Sequence, residues 1–168
     1  MDFQFNEECI NEHNCLRRLH GCPPLKIDMR LAQIAQSHAM KLAGSQTVKA
    51  LGLPDTGENF YLHIGSPSIS GVKVVHAWYS EIRSHQFGQE RQPYSANFSQ
   101  MIWKSTRRAG FGRATAHGGC AVFIVGIYKG AGNQNGLYSE NVPARLDGIV
   151  PPDLGRAGWR FHCQPLTT

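Results

Sequence analysis

The sequence contains no long apolar segment. Its longest apolar run extends from Ala121 to Tyr128 and is interrupted by Gly126, whereas a membrane-spanning helix needs roughly 18 apolar residues or more. The N-terminus also lacks the basic, apolar and small-residue series of a secretory signal, and Asp2 stands where myristoylation requires glycine. These absences predict a cytoplasmic protein that associates with membranes only peripherally.

Charged residues are scarce as well. They make up 17% of the chain, below the roughly 25% that is usual in globular domains. The chain has 168 residues, of which 41% are hydrophobic, and it contains neither internal repeats nor low-complexity segments. This length and composition predict a single globular domain with a substantial core.

The few cysteines form no zinc-binding pattern. They lie at positions 9, 15, 22, 120 and 163. Their number is odd, and no Cys-x-x-Cys pair suggests structural zinc. We therefore expect reduced cysteines, several of which fill the core as small apolar side chains.

The net charge is positive, at +5, and the isoelectric point is near 9.1. One basic cluster consists of Lys104, Arg107, Arg108, Arg113 and Lys129. A second cluster consists of Arg17, Arg18, Lys26 and Arg30. Such surfaces attract anionic lipids, acidic polysaccharides or nucleic acids at long range. The alternative is that these basic side chains are only hydrated by water and bind no partner. We expect no nucleic-acid partner, because aromatic residues do not alternate with the basic ones as they do in a stacking platform.

The hydrophobic periodicity predicts helices first and a pair of strands later. Helices are predicted over residues 5–20, 29–44, 71–85 and 98–104, with Asp28 and Ser70 as N-caps. Strands are predicted over residues 59–62, 109–116 and 120–129. The last strand is apolar on both faces, which indicates that helices cover both sides of the sheet. The pattern therefore predicts an α+β fold with a sheet between helical layers.

Six short motifs follow one another in a recognisable order. They are residues 13–17 (HNCLR), 20–25 (HGCPPL), 57–60 (GENF), 78–82 (WYSEI), 97–106 (NFSQMIWKST) and 110–114 (GFGRA). In this order they resemble the CAP superfamily of cysteine-rich secretory proteins, antigen 5 and plant pathogenesis-related protein 1, and in particular its short, non-secreted Golgi-associated type. The resemblance implies an α–β–α sandwich with a central, mainly antiparallel sheet over residues 1–145. An irregular extension packed on this domain is expected over residues 146–168.

The resemblance also implies a central cleft that holds two glutamates and two histidines, and in the family these histidines bind a divalent metal. Glu58 and Glu81 match the two acids, whereas Asn97 replaces one histidine and Thr47 is the nearest residue to the position of the other. Two carboxylates and an amide form a poor zinc site, although their oxygens leave a weak calcium or magnesium site open as an alternative. Acid–base catalysis near neutral pH is difficult without imidazole. We therefore expect no metal, no cofactor and no catalytic residue.

Three other histidines are alternative ligands for this cleft: His63, His76 and His85. Glu81 and His85 are four residues apart on a predicted helix, where they would share a face. The simpler interpretation is that all three are surface or boundary histidines.

The sequence thus predicts a non-enzymatic CAP-type binding module whose partner is an anionic phospholipid or membrane surface. In this hypothesis Lys104, Arg107, Arg108 and Arg113 contact the anionic surface. One alternative is a protein-interaction scaffold, with a homodimer as one form of it. The other is a metal-dependent hydrolase or protease that uses Glu58 and Glu81.

Overall fold

The computed structural model describes residues 1–149, and within them helices alternate with the strands of one sheet. The helices are α1 (Phe3–Leu19), α2 (Met29–Ser45), α3 (Gly71–Tyr79), α4 (Ala96–Ile102) and α5 (Tyr138–Asn141). The strands are β1 (Lys26–Ile27), β2 (Thr56–Ile64), β3 (Arg108–Ala116) and β4 (Ala121–Lys129). Two 3-10 turns, Ser80–Ser84 and His117–Gly119, follow α3 and β3.

The four strands lie in the order β1-β3-β4-β2. β4 pairs antiparallel with both β3 and β2 along their full lengths, and only the two-residue β1 is parallel to its neighbour β3. The predicted central, mainly antiparallel sheet is therefore confirmed. β2 is an edge strand, and every residue of β4 except Lys129 is buried, as the apolar character of β4 predicted.

Helices cover both faces of the sheet and form two separate cores. On one face, α2 packs against β3 and β4, with Ala35 and Val125 fully buried. The backbone of α2 approaches β3 closely because β3 has two glycines there: a Cβ atom on Gly110 or Gly112 would lie 2.1 or 2.3 Å from a backbone nitrogen of α2. On the other face, α1, α3 and α4 enclose the larger aromatic core. This arrangement is the predicted α–β–α sandwich.

Local capping signals place the helix starts correctly. The Asp28 carboxylate accepts the N–H groups of Arg30 and Leu31 at the start of α2, and the Ser70 hydroxyl accepts the N–H of Lys73 at the start of α3. Such side chains satisfy donors that have no partner within the helix.

The predicted helix over residues 71–85 is too long, because α3 ends at Tyr79 and continues only as a 3-10 turn. The Ser80 hydroxyl donates to the Ala77 carbonyl at 2.6 Å. A serine that hydrogen-bonds a nearby carbonyl competes with the regular helical pattern, and this competition accounts for the early end.

The cysteines are not all reduced thiols. Cys15 is disulfide-bonded, which corrects the sequence-based expectation, whereas Cys9, Cys22 and Cys120 are free. Burial raises the pKa of the Cys9 and Cys22 thiols. These two cysteines pack in the larger core, as expected for small apolar side chains.

Most of the predicted C-terminal extension lies outside the described residues. Within its first part, the Leu146 N–H donates to the carbonyl of Leu19 at the end of α1. None of the helices described between residues 1 and 149 is long and apolar enough to cross a membrane.

Candidate functional site

The Glu81 carboxylate binds the N-terminus of α4. It accepts the Asn97 backbone N–H and side-chain amide at 2.8 Å each, and the Phe98 backbone N–H at 3.1 Å. The first N–H groups of a helix lack intrahelical partners, and a carboxylate is favoured there by the helix dipole. Glu81 thus stabilises α4 from sixteen residues away in sequence.

The second acid, Glu58, holds a different part of the chain. Both of its carboxylate oxygens receive the Leu51 N–H, at 3.1 and 2.9 Å, so it anchors the loop of residues 46–55 to β2. Within residues 1–149 no hydrogen bond joins Glu58 to Glu81 or to Asn97. The two acids therefore have separate hydrogen-bond partners: Glu58 holds the loop, and Glu81 holds the start of α4.

Asn59, the neighbour of Glu58, connects β2 to α4. Its amide donates to the Asn97 carbonyl at 3.0 Å and to the Tyr128 hydroxyl at 3.2 Å. Successive side chains of a strand point to opposite faces, so Asn59 enters the aromatic core whereas Glu58 turns toward the loop. We name this meeting of β2 and α4, with Glu58, Asn59, Glu81 and Asn97, the cleft junction.

A series of hydrogen bonds leads from Asn59 of the cleft junction through the Tyr128 hydroxyl to His13 of α1. Its Nδ1 lies 2.7 Å from the Cys9 carbonyl, which can only accept, so Nδ1 carries the proton. Its Nε2 then accepts the Tyr128 hydroxyl proton at 2.8 Å. Burial lowers the His13 pKa to about 3 and raises the Tyr128 pKa well above its ordinary value. This histidine is a neutral structural group rather than a ligand or base.

His20 repeats this arrangement two turns further along α1. Its Nδ1 lies 2.7 Å from the Pro143 carbonyl, and its Nε2 accepts the Tyr79 hydroxyl proton at 2.9 Å. Burial lowers the His20 pKa to about 4 and raises the Tyr79 pKa to about 12. The motif around residues 13–17 already favoured a structural, hydrogen-bonded role for His13, whereas the matching role of His20 was missed, although a spacing of seven residues places both on one helix face.

The three histidines considered as alternative ligands occupy separate places. His76 Nε2 lies 2.7 Å from a carboxylate oxygen of Glu12, and His63 is half-buried on β2. His85 bonds the Ser95 hydroxyl at 2.8 Å, and its pKa is lowered to about 4 mainly by burial. The expectation that His85 shares a helix face with Glu81 is wrong, because the α-helix ends before either residue.

The residues of the cleft junction do not fit a divalent metal. Glu81 already accepts three N–H groups. One of them comes from the side-chain amide of Asn97, which replaces the family histidine. A metal ligand set needs several donors that converge with free lone pairs. Across residues 1–149, no group of three or more His, Cys, Asp or Glu side chains is arranged to hold a metal ion.

No serine near the cleft junction is arranged as a nucleophile. Ser99 donates to the Ser95 carbonyl at 2.8 Å. The Ser95 hydroxyl does meet a histidine, His85, but Ser95 is completely buried and a substrate could not reach it. Nucleophilic catalysis needs both an activating base and access for the substrate.

The predicted basic clusters partly merge at one end of the sheet. Lys26 lies opposite Arg108 in the β1–β3 pair, and Arg108 lies opposite Lys129 in the β3–β4 pair, so three basic residues form a row across three strands. We call Lys26, Arg108 and Lys129 the basic row; all three are exposed. The exposed Lys104 and Arg107 adjoin the row, and the Arg107 guanidinium donates to the Lys104 carbonyl.

Arg113, which the sequence analysis grouped with this surface, lies elsewhere. It pairs with Asp2 at 2.6 Å, donates to the Ile69 carbonyl at 2.6 Å and stacks 4.6 Å over the Phe5 ring. It is five residues further along β3 than Arg108. Its charge is therefore neutralised locally and tethers the N-terminus to the sheet.

Arg17 also departs from the expected surface cluster, because it is 0% exposed. Its guanidinium donates to the backbone carbonyls of Pro23, Met101 and Trp103 at 2.7 to 2.9 Å. Burial lowers its pKa to about 10, so it remains charged at neutral pH. Arg17 joins α1 to the last turn of α4 and the residue after it rather than facing a partner.

Comparison with known proteins gives one consistent result. The sequence model described as "Cysteine-rich secretory protein family" (CAP) matches residues 10–128. The chain is 36% identical to the Golgi-associated plant pathogenesis-related protein 1 of Homo sapiens over 145 residues, which cover 83% of this chain and 92% of that protein. The structure of BmVAL-1 is similar with a TM-score of 0.65 at 22% identity, over 80% of this chain and 81% of that one. NaASP2, solved with Zn²⁺, is similar with a TM-score of 0.65 at 18% identity, over 86% and 87% of the chains.

Proposed function

Because this chain belongs to the CAP family of cysteine-rich secretory proteins, we propose that it is a non-enzymatic binding module that associates with anionic membrane surfaces through its basic row. Lys104 and Arg107, which adjoin the row, extend the contact surface.

The basic row is the observation that carries the proposal. Like charges directly opposite each other on neighbouring strands destabilise a sheet. Arg108 lies opposite both Lys26 and Lys129, so the stability of the fold does not explain why three basic residues occupy these positions. Lys129 is partly offset by Asp55, whose carboxylate lies 3.2 Å from its ammonium group. Each basic residue near an anionic leaflet contributes about 1 kcal/mol, so the row and its neighbours would give weak, salt-sensitive binding.

The non-enzymatic part of the proposal is supported by the cleft junction. Glu58 and Glu81 each bind backbone N–H groups of the fold, and Asn97 supplies no imidazole. The alternative of a metal-dependent hydrolase that uses these two acids gains no support from their contacts.

A second candidate function, a protein-interaction scaffold, is favoured by the exposed side of β2. This edge strand carries Leu62 and Ile64, which are 41% and 72% exposed. Unpaired strand edges with apolar side chains are sites where another chain can add. A homodimer would be visible as a concentration-dependent mass in analytical ultracentrifugation.

The first test is co-sedimentation with neutral and anionic liposomes at low and high salt. We expect binding only to anionic vesicles, and we expect Lys26→Gln/Arg108→Gln to weaken it roughly 30-fold, since two charges contribute about 2 kcal/mol. The matched control is Lys49→Gln/Lys73→Gln, which removes two exposed charges outside the row. Equal weakening by both double variants, or binding to neither type of vesicle, would refute the proposal.

The proposal places the protein at a cytoplasmic membrane face, where anionic lipids are concentrated. The free thiols of Cys9, Cys22 and Cys120 suit a reducing compartment, whereas the disulfide at Cys15 is rare there. Alkylation of the full chain in freshly opened cells tests this point. Rapid labelling of the exposed Cys120 thiol supports the cytoplasmic location, and a Cys120 that is labelled only after reductant is added contradicts it.

A further inference from the structure

The outer edge of β2 is the side of the strand that faces away from β4. The Gly65 N–H donates to the Cys120 carbonyl at 2.8 Å, in the register of the β2–β4 pair. At the other end of the strand, the Gly130 N–H donates to the Asp55 carbonyl in the same register. Alternate residues of an antiparallel strand bond the same neighbour. The odd-numbered residues of β2 therefore bond β4, and the even-numbered residues direct their N–H and C=O groups to the outer edge.

The first part of this outer edge is already occupied. The loop before β2 is held against Glu58, and the Phe60 carbonyl accepts the Trp78 indole N–H at 2.9 Å. The even-numbered residues that remain are Leu62 and Ile64. Among residues 1–149, no hydrogen bond reaches the outer backbone groups of either residue. The open part of the edge is therefore its last part, around these two residues.

The open part of the edge has none of the usual protection against pairing with another strand. Protected edges carry charged residues, proline or a bulge. Residues 59–65 contain no lysine, arginine, aspartate, glutamate or proline, and the β2–β4 register continues to Ile64 without a bulge. The side chains of Leu62 and Ile64 lie on the α2 side of the sheet, as that of Phe60 does. They are 41% and 72% exposed, so a strand that pairs here also covers apolar surface.

We propose that β2 pairs with β2 of a second copy of this chain, antiparallel and about a twofold axis at His63. In this register Leu62 lies opposite Ile64 of the copy, so their outward N–H and C=O groups bond each other on both sides of the axis. Their side chains cover each other on the α2 side, and the two His63 side chains meet on the opposite face. The inference rests on the second candidate function, the protein-interaction scaffold, and is independent of membrane binding.

The backbone groups select the position of this axis. An axis at Leu62 places Phe60 opposite Ile64 of the copy, but the Trp78 indole already holds the Phe60 carbonyl. An axis at Ile64 places Leu62 opposite Ser66, which lies beyond the end of β2. Only an axis at His63 pairs the two open residues with each other.

A second copy suits this edge better than an unrelated extended peptide. Because the open part is short, the main-chain bonds are few and the side chains must supply affinity. The copy brings the same apolar pair in matched positions, and twofold contacts are the commonest association of identical chains. The basic row does not oppose the contact: Lys129 lies opposite Thr56, seven residues from His63 and thus about 24 Å along the strand. Charges so far apart are screened at physiological salt, where the Debye length is about 8 Å.

Sedimentation equilibrium of the full chain without lipid is the first experiment. We expect a reversible dimer with a dissociation constant on the order of 100 μM, because contacts of this size are transient. Ile64→Lys places a protective charge on the edge and should weaken the dimer at least about tenfold. The matched control is Val72→Lys, which makes a similar change at an exposed position of α3 and should leave the dimer unchanged.

A pair of opposite charges tests the register. Leu62→Lys and Ile64→Glu should each weaken self-association, because each puts a charge among apolar side chains. Mixed in equal amounts, the two variants should associate about tenfold more tightly than either alone. The introduced ammonium and carboxylate groups lie directly opposite each other only when the axis is at His63. Near-ultraviolet circular dichroism establishes that each variant is folded.

The inference is overturned if Ile64→Lys and Val72→Lys weaken the dimer equally, or if the mixed variants associate no better than either alone. A dimer that Ile64→Lys does not weaken refutes this contact but leaves the scaffold candidate in place. A chain that is monomeric at millimolar concentration refutes both the contact and the homodimer. None of these results depends on liposome binding, which tests the membrane proposal separately.

Discussion

The cleft junction and the basic row use charged groups in opposite ways. At the cleft junction, Glu58 and Glu81 each accept N–H groups from the backbone, and every charge has a structural partner. In the basic row, Lys26 and Arg108 lie beside each other in register and face solvent. The difference indicates that the cleft acids serve the fold in this chain, whereas the charges of the basic row, which do not help the fold, are the ones that we propose for a partner.

The largest effect should be acid destabilisation of the histidine network behind the cleft junction. The pKa values of His13 and His20 are lowered from 6.5 to about 3 and about 4, so the unfolded chain binds these protons more readily. Their stabilisation is complete above pH 6.5 and is lost as the pH falls from there toward the folded pKa values. Protonation of the two histidines in the unfolded chain should lower the free energy of unfolding by about 3 kcal/mol between pH 6.5 and 5.

Denaturant unfolding at a series of pH values measures how the free energy of unfolding changes with pH. His20→Gln removes one of the two contributions, so the change of the free energy of unfolding with pH over the same range should fall by about 1 kcal/mol per pH unit. A free energy of unfolding that does not change between pH 6.5 and 5 would contradict the neutral, buried state of both rings.

Loss of the Glu81 carboxylate should give the next largest effect. Glu81→Gln keeps the size of the side chain but removes the charge that two backbone N–H groups and the Asn97 amide bind. We expect the free energy of unfolding to fall by about 2 kcal/mol, with liposome binding unchanged. The control is Glu7→Gln at an exposed position of α1, and an equal loss of stability in both would show that Glu81 has no special structural role.

Restoring the family histidine should cost stability without creating a metal site. Asn97→His removes the amide that donates to Glu81 at 2.8 Å, and we expect a loss of about 1 kcal/mol. Glu81 would still bind backbone N–H groups, and Thr47, the residue nearest to the position of the second family histidine, supplies no imidazole. Stoichiometric zinc binding by this variant, measured by calorimetry, would mean that the cleft junction remains close to a working metal site.

The smallest effect distinguishes the basic row from the cleft junction most directly. Lys26→Gln/Arg108→Gln removes like charges that face each other across β1 and β3, so we expect the free energy of unfolding to rise by about 0.5 kcal/mol while anionic liposome binding falls. Thermal unfolding at low salt is the measurement. A clear loss of stability in this variant would mean that the row is structural, and the contrast between the two regions would disappear.

Local sequence signals predicted much of the fold. Asp28 and Ser70 were expected as N-caps and accept the N–H groups of their helices. The continuous apolar run in β4 indicated a strand with both faces covered, and the structure buries it between α2 and the opposite helices. These features depend on neighbouring residues, which is why periodicity and capping rules recover them.

The sequence by itself therefore determined the family, the sandwich of helices around a mainly antiparallel sheet, and the absence of the cleft histidine at Asn97. Only the tertiary structure decided that Arg17 is buried, that Glu81 caps a helix sixteen residues away, and that Lys26 lies beside Arg108. Each of these facts depends on a contact between segments that are distant along the chain. Residue type sets which bonds a side chain can form, but the packing of the whole chain decides which partner it meets.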